Sequence, residues 1–140
     1  SIILYYNNIK MKNTIFEVLK YTYYLSLIVL LILYLFPGSL IGFLLYSDLG
    51  KQPDLISNPI GTSINHTIFF FYLGILGFIL YIENKKLIFS FSFLFFASIL
   101  FELLHLIIPN RAFELNDLVA NSIGVIFAFS LYSIIKKLKK

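Results

Sequence analysis

Four stretches of this chain are apolar almost without interruption, and each ends at a helix breaker or at charge. They run from about Val18 to Phe36 before Pro37-Gly38, and from Ile64 to Ile82 before Glu83-Asn84-Lys85-Lys86. The other two run from Leu87 to Ile108 before Pro109, and from Leu118 to Ile135 before Lys136-Lys137. A helix needs about 20 mostly apolar residues to cross a hydrocarbon core of roughly 30 Å. The pattern therefore predicts an all-α polytopic membrane protein, an antiparallel four-transmembrane-helix bundle. Residues 1–17 read as an N-terminal juxtamembrane extension, 18–135 as a single four-helix membrane domain, and 136–140 as a basic tail. Two further apolar pieces, Ser1–Ile9 and Leu40–Tyr46, are too short to cross. The second lies in a long loop, residues 37–61, with Pro53 and Pro59, and is expected to be interfacial or partly re-entrant. No small-x-small cleavage site follows Phe36, so the first stretch reads as a span rather than a removed signal. Met11 is the only methionine, and residues 1–10 are expected to be an upstream extension.

Composition agrees with the pattern. The 140 residues are 59% hydrophobic and only 13% charged, whereas soluble domains are about a quarter charged. There is no cysteine, which excludes disulfides, thiolate metal sites and cysteine catalysis. A net charge of +4 would suit nucleic acid, but the basic residues sit at span ends and in short loops, so no nucleic-acid partner is expected. Their distribution instead orients the chain. The side holding both termini and the 83–86 loop carries nine of the 11 Lys and Arg residues, and the other side carries Lys51 and Arg111. The positive-inside rule then puts both termini in the cytoplasm, with the chain in the inner or plasma membrane. Tyr21, Tyr23, Tyr24, Tyr81 and Tyr132 near one boundary, with Tyr34 and Tyr46 near the other, fit an aromatic belt.

Against this background the stretch Glu102 to Gly124 stands out. Ionisable groups inside a membrane are expensive and by default mark functional sites. The topology collects them at the outer ends of the spans: His66 on the second, Glu102 and His105 on the third, Arg111, Glu114 and Asp117 in the following turn, and Asn121 on the fourth. With Ile108 at the boundary and 1.5 Å of rise per residue, His105 lies roughly 4–5 Å deep and Glu102 about 9 Å deep. Glu102 and His105 share a helix face at i, i+3 spacing. Asp117, Asn121, Gly124 and Ala128 form one face of the fourth span, and His66, Phe70, Gly74 and Gly77 one face of the second. Both faces are polar above and small below, which lets helices approach closely. Turned inward, the three polar ends surround a pocket open to the outer leaflet.

These residues resemble the VanZ-like family of small bacterial membrane proteins. The likeness covers roughly residues 55–135. It rests on Glu102, Pro109, Arg111, Asp117, Asn121 and Gly124, preceded by His66 before Phe69-Phe70-Phe71-Tyr72-Leu73-Gly74. Relatives usually carry Asp-Lys where this chain has Thr62-Ser63, and Gln where it has His105. The resemblance implies this topology, a cell-envelope setting and, from the founding member, an association with low-level teicoplanin resistance. It implies no reaction.

The residues themselves leave several roles open. Arg111 is the best anion ligand, always charged and forked to fit phosphate or carboxylate; its plainer role is a snorkelling anchor. Glu102 suits ligand or proton binding, or else an ion pair with Arg111 or a hydrogen bond to His105 or Asn121. Asp117 suits a helix N-cap, and Asn121 a bridge between helices. Glu-x-x-His is a ligand spacing of helical bundles, and with His66 would suit zinc; one such spacing is common by chance, and no metal or cofactor is expected. The leading expectation is that His66, Glu102, His105, Arg111, Asp117 and Asn121 bind a lipid-linked or amphiphilic anionic envelope molecule, with the Phe-rich walls of the second and third spans taking its apolar part. The alternatives are an intramembrane hydrolase or transferase acting on a lipid-linked substrate, which would need a water nucleophile because Ser98, one turn below Glu102, carries no signature, and an accessory subunit that packs against a membrane-protein partner or a second copy of itself.

Overall fold

The computed structural model describes residues 2–53, 63–81 and 86–138. These form five helices: α1 (Ile2–Leu35), α2 (Leu40–Tyr46), α3 (Ser63–Tyr81), α4 (Lys86–Leu104) and α5 (Leu115–Leu138). Four segments are long and apolar enough to cross a membrane, Ile9–Leu35 of α1 and the whole of α3, α4 and α5. The chain is thus an all-α protein with four membrane-crossing helices. Pro59, Thr62, residues 82–85, Lys139 and Lys140 lie outside the described residues.

Three boundaries differ from the apolar pattern, each for a local reason. The piece Ser1–Ile9 is no separate element, since α1 runs unbroken from Ile2. Helix α4 stops at Leu104 rather than Ile108, where the backbone tightens into i→i+3 bonds from His105 N to Glu102 O (3.1 Å), Leu106 N to Leu103 O (3.1 Å) and Ile107 N to Leu104 O (3.0 Å). Pro109 disfavours α geometry in the residue before it and donates no hydrogen bond. The chain here leaves the α-helix in overlapping turns, with Ile108 N still bonded to Leu104 O at 3.2 Å, and 1.5 Å per residue no longer measures depth beyond Leu104. Helix α5 begins at Leu115 rather than Leu118. The short α2 is a capped helix: Ser39 Oγ accepts from Gly42 N at 2.9 Å, and Ser47 ends it at φ 55°. At seven residues it cannot cross.

The core is built on α3 and α5, which share the most extensive interface, with α4 against both. Phe70 and Leu73 of α3, Leu94 of α4 and Val125 of α5 are almost completely buried. The small-residue faces inferred from the sequence meet here. A Cβ on Gly74 would lie 2.5 Å from the Ala128 methyl, and one on Gly124 would lie 2.9 Å from the backbone nitrogen of Phe71 and closer still to the Thr67 carbonyl. Thr67 Oγ1 also donates to the Ala120 carbonyl at 3.1 Å, so the two backbones are in direct polar contact. Helix α1 is the least buried span. It contributes Tyr23, Leu30 and Tyr34 to the core and turns Leu25, Ile28 and Leu31 outward, as a lipid-facing helix does.

The aromatic belt needs correcting. Tyr21, Tyr24 and Tyr46 are exposed, but Tyr23, Tyr34 and Tyr132 are buried within the bundle. Tyr23 reaches Ser90 across the core at 3.3 Å. A tyrosine at a span end has an interfacial and an interior option, and packing against Gly77 selects the interior for Tyr23.

Gly124→Ala forces the α3–α5 backbones apart and is expected to destabilise the fold by about 1–3 kcal/mol, the usual range for overpacking. Gly50→Ala, whose Cβ would meet only the Asp48 carboxylate at 3.4 Å, is expected to stay within about 0.5 kcal/mol of the parent. Thermal unfolding of the two variants in detergent checks this.

Candidate functional site

The chain after α4 is shaped by Pro109 and Asn110. Arg111 N donates to Ile108 O at 3.3 Å, closing a β-turn with proline at its second position and Asn110 at φ 57° at its third. Those are the residue types such a turn requires. The turn sends the Arg111 side chain back to the end of α1. There its Nε donates to Phe36 O at 3.2 Å and its Nη2 to Leu33 O at 2.5 Å. Arg111 therefore caps carbonyls that α1 leaves unsatisfied, and this bond, not an ion pair with Glu102, is its main engagement. Its Nη1 has no partner among the described residues. Desolvation lowers the Arg111 pKa from the ordinary arginine value, opposed by the nearby Tyr34 and Glu102. Arginine starts so high that it remains a cation.

Glu102 is fully buried. Its Oε1 accepts from Glu114 N at 3.0 Å, which pins the start of α5 to α4 and sets a negative charge at a helix N-terminus. The same oxygen lies 3.3 Å from His105 Nδ1. His105 Nε2 faces the Tyr34 carbonyl at 3.2 Å, where only a donor nitrogen is favourable. Both ring nitrogens thus face oxygens, and the ring bridges Glu102 to the end of α1. The ring also stacks on Tyr34 at 5.4 Å between centroids.

Tyr34 is the residue that sequence reasoning missed. Its hydroxyl donates to Asn121 Oδ1 at 2.8 Å and lies 2.5 Å from His66 Nδ1. The hydroxyl's one hydrogen goes to Asn121, so the His66 contact needs its proton on Nδ1. The other face of His66, Nε2, lies 3.5 Å from Asp117 Oδ2. Asp117 Oδ1 accepts from Ser63 Oγ at 2.5 Å, so Asp117 ties α5 to α3 from within the first turn and is not the N-cap. Asn121 Nδ2 reaches the Ser98 carbonyl at 3.4 Å, making Asn121 a bridge between helices. Ser98 itself is buried and donates to Phe95 O at 2.7 Å, so it presents no hydroxyl to this end.

Beside this layer is a cavity of about 140 Å³ between α1, α2 and α3. His66, His105 and Arg111 line it; Glu102, Asp117 and Asn121 do not. The six residues singled out in the sequence gather at one end of the bundle, three at the cavity surface and three behind it. The apolar wall comes mainly from Leu30, Leu33, Leu40 and Ile41 of α1 and α2. From the Phe-rich spans only Phe69 contributes, while Phe89, Phe93 and Phe96 of α4 are exposed on the outside of the bundle.

A family model described as VanZ/LLP1 matches residues 5–136. The chain belongs to this family. Neither curated proteins nor solved structures yielded a match. The family match extends past residues 55–135 to include α1, and with it Tyr34. Ser63 supplies Asp117 with a donor, and His105 joins Glu102 to the end of α1.

Tyr34→Phe removes one hydroxyl and leaves His66 and Asn121 short of a buried partner. A loss of about 1–3 kcal/mol is expected, against no measurable change for the exposed Tyr46→Phe. Chemical denaturation in mixed micelles compares the two.

Proposed function

We propose that this VanZ/LLP1 protein lies in the cell-envelope membrane with both termini in the cytoplasm, and that its cavity receives the anionic head group of a lipid-linked or amphiphilic envelope molecule. The observation that carries this reading is the composition of the cavity. One fixed cation, Arg111, and two imidazoles meet an aliphatic wall from α1 and α2. Few precisely placed polar groups on an apolar surface is the general character of a ligand site.

The volume, about 140 Å³, sets a limit. Ligand pockets for drug-sized molecules run roughly 300–1,000 Å³. The cavity therefore suits a head group, and the acyl or prenyl part would lie along α1 and α2 in the bilayer. An acylated glycopeptide, the class brought in by the family resemblance, has this amphiphilic form. Glu102, Asp117 and Asn121 take a supporting role, holding His66 and His105 in place rather than touching the ligand.

Arg111 both caps α1 and lines the cavity, so its removal mixes two effects. Two α1 carbonyls would lose a charged donor, at about 1.5–3 kcal/mol. A wall substitution separates binding from stability. In nanodiscs, Ile41→Trp is expected to fill the cavity and lower retention of phosphatidylglycerol relative to phosphatidylcholine by about tenfold, equivalent to roughly 1.4 kcal/mol, with an unchanged melting temperature. Retention equal to the parent's would rule out the cavity as the site.

Orientation has an independent test, because the chain has no cysteine of its own. Lys51→Cys is expected to react with an impermeant maleimide from outside intact cells. Lys137→Cys is expected to react only after the membrane is opened.

A further inference from the structure

We infer that His66, Glu102 and Asp117 form a binding site for one divalent transition-metal ion. One ligand atom from each of these side chains lies within 4.8 Å of the others. The three come from α3, α4 and α5, so the site forms only when the bundle closes. This goes beyond the cavity reading: Glu102 and Asp117 lie outside the cavity lining, and His66 alone is shared with it.

The hydrogen bonds divide each of the three side chains into a held atom and an open one. Glu102 Oε1 is held by Glu114 N and His105, while Oε2 is buried with no partner. Asp117 Oδ1 is held by Ser63, leaving Oδ2 facing His66. His66 Nδ1 is held by Tyr34 and Asn121, leaving Nε2 facing Asp117. Metal-binding histidines and carboxylates are typically fixed in this way through the atom that does not ligate. An orphaned buried carboxylate oxygen requires an explanation, and an ion is one of the few available.

Charge points the same way. Glu102 is fully buried and Asp117 nearly so, and buried carboxylates require positive charge close by. Arg111, the nearest fixed cation in sequence, directs its hydrogen bonds to the carbonyls at the end of α1 and reaches Glu102 only through space, with no ion pair. One imidazole with two carboxylates favours a transition ion over magnesium or calcium. Three protein ligands also leave a coordination position open, as in non-structural zinc sites. His105, despite its Glu-x-x-His spacing, is not a ligand. Its ring nitrogens are engaged by Glu102 and the Tyr34 carbonyl, and it acts by orienting Glu102.

The test uses the full chain in detergent, stripped with chelator and titrated with cobalt(II) and zinc(II). The expected result is saturable uptake of a single ion per chain, with visible cobalt bands displaced by zinc. Glu102→Gln and Asp117→Asn, both nearly isosteric, are expected to abolish the bands. Ser63→Ala should weaken affinity by about 10–100-fold, as loss of a supporting hydrogen bond does, and His105→Gln should keep the stoichiometry. Absence of saturable binding by the parent chain would overturn the proposal. So would binding by Glu102→Gln and Asp117→Asn indistinguishable from the parent's. Metal uptake is read in detergent without phosphatidylglycerol, so its outcome is separate from that of the nanodisc retention test.

Discussion

A carboxylate with no access to water has to be answered by donors from its surroundings, and Glu102 imposes that demand at the meeting point of the bundle. Its Oε1 takes the Glu114 amide, so the start of α5 is set by a side chain of α4. It also engages His105, whose opposite nitrogen reaches the Tyr34 carbonyl on α1. One buried anion therefore positions a helix start, a ring and a neighbouring helix end. In lipid, where helix association has no hydrophobic driving force between spans, such polar bonds and close packing carry the specificity.

The second organising element is the division of labour between the two ends of α1. Toward the polar end, Tyr34 and the terminal carbonyls are tied to α3, α4, α5 and the Arg111 turn. Toward the other end, contacts are sparser: Tyr23 to Ser90, Tyr24 to Tyr81 at 3.0 Å, and Ser26 to Tyr72 at 3.0 Å. The cavity lies between α1 and α3, with α2 along one side. Its polar lining is consequently made of groups whose orientation is already set by the fold. A ligand head group would meet a preorganised surface, which lowers the ordering cost of binding.

Much of this was legible in the residues. The four spans follow from uninterrupted apolar length, and the close α3–α5 approach from small residues at helical spacing, now seen at Gly74, Ala128 and Gly124. Gathering of the polar residues at one end follows from antiparallel connectivity alone. Less legible were the partners. Sequence distance makes Glu102 and Arg111 an attractive pair, but the turn through Pro109 and Asn110 directs the arginine to the carbonyls of α1. Tyr34 has the composition of an interfacial tyrosine, and nothing local distinguishes it from Tyr46. Its role depends on three other helices, α3, α4 and α5, arriving around it.

The amino-acid sequence by itself determined the number of spans, their order and the end of the bundle at which ionisable groups collect. Hydrophobic length and helical period are local properties, and the bilayer converts them directly into topology. Tertiary structure alone decided which polar atoms are paired and which are left open. It made Arg111 a cap, set His105 between Glu102 and the Tyr34 carbonyl, brought Asp117 rather than His105 to His66, and left Glu102 Oε2 without a partner. Those outcomes turn on differences of an ångström or two between side chains on separate helices. Hydrogen bonds and metal ligation are sensitive to such distances, and the pattern of residues along one chain does not encode them.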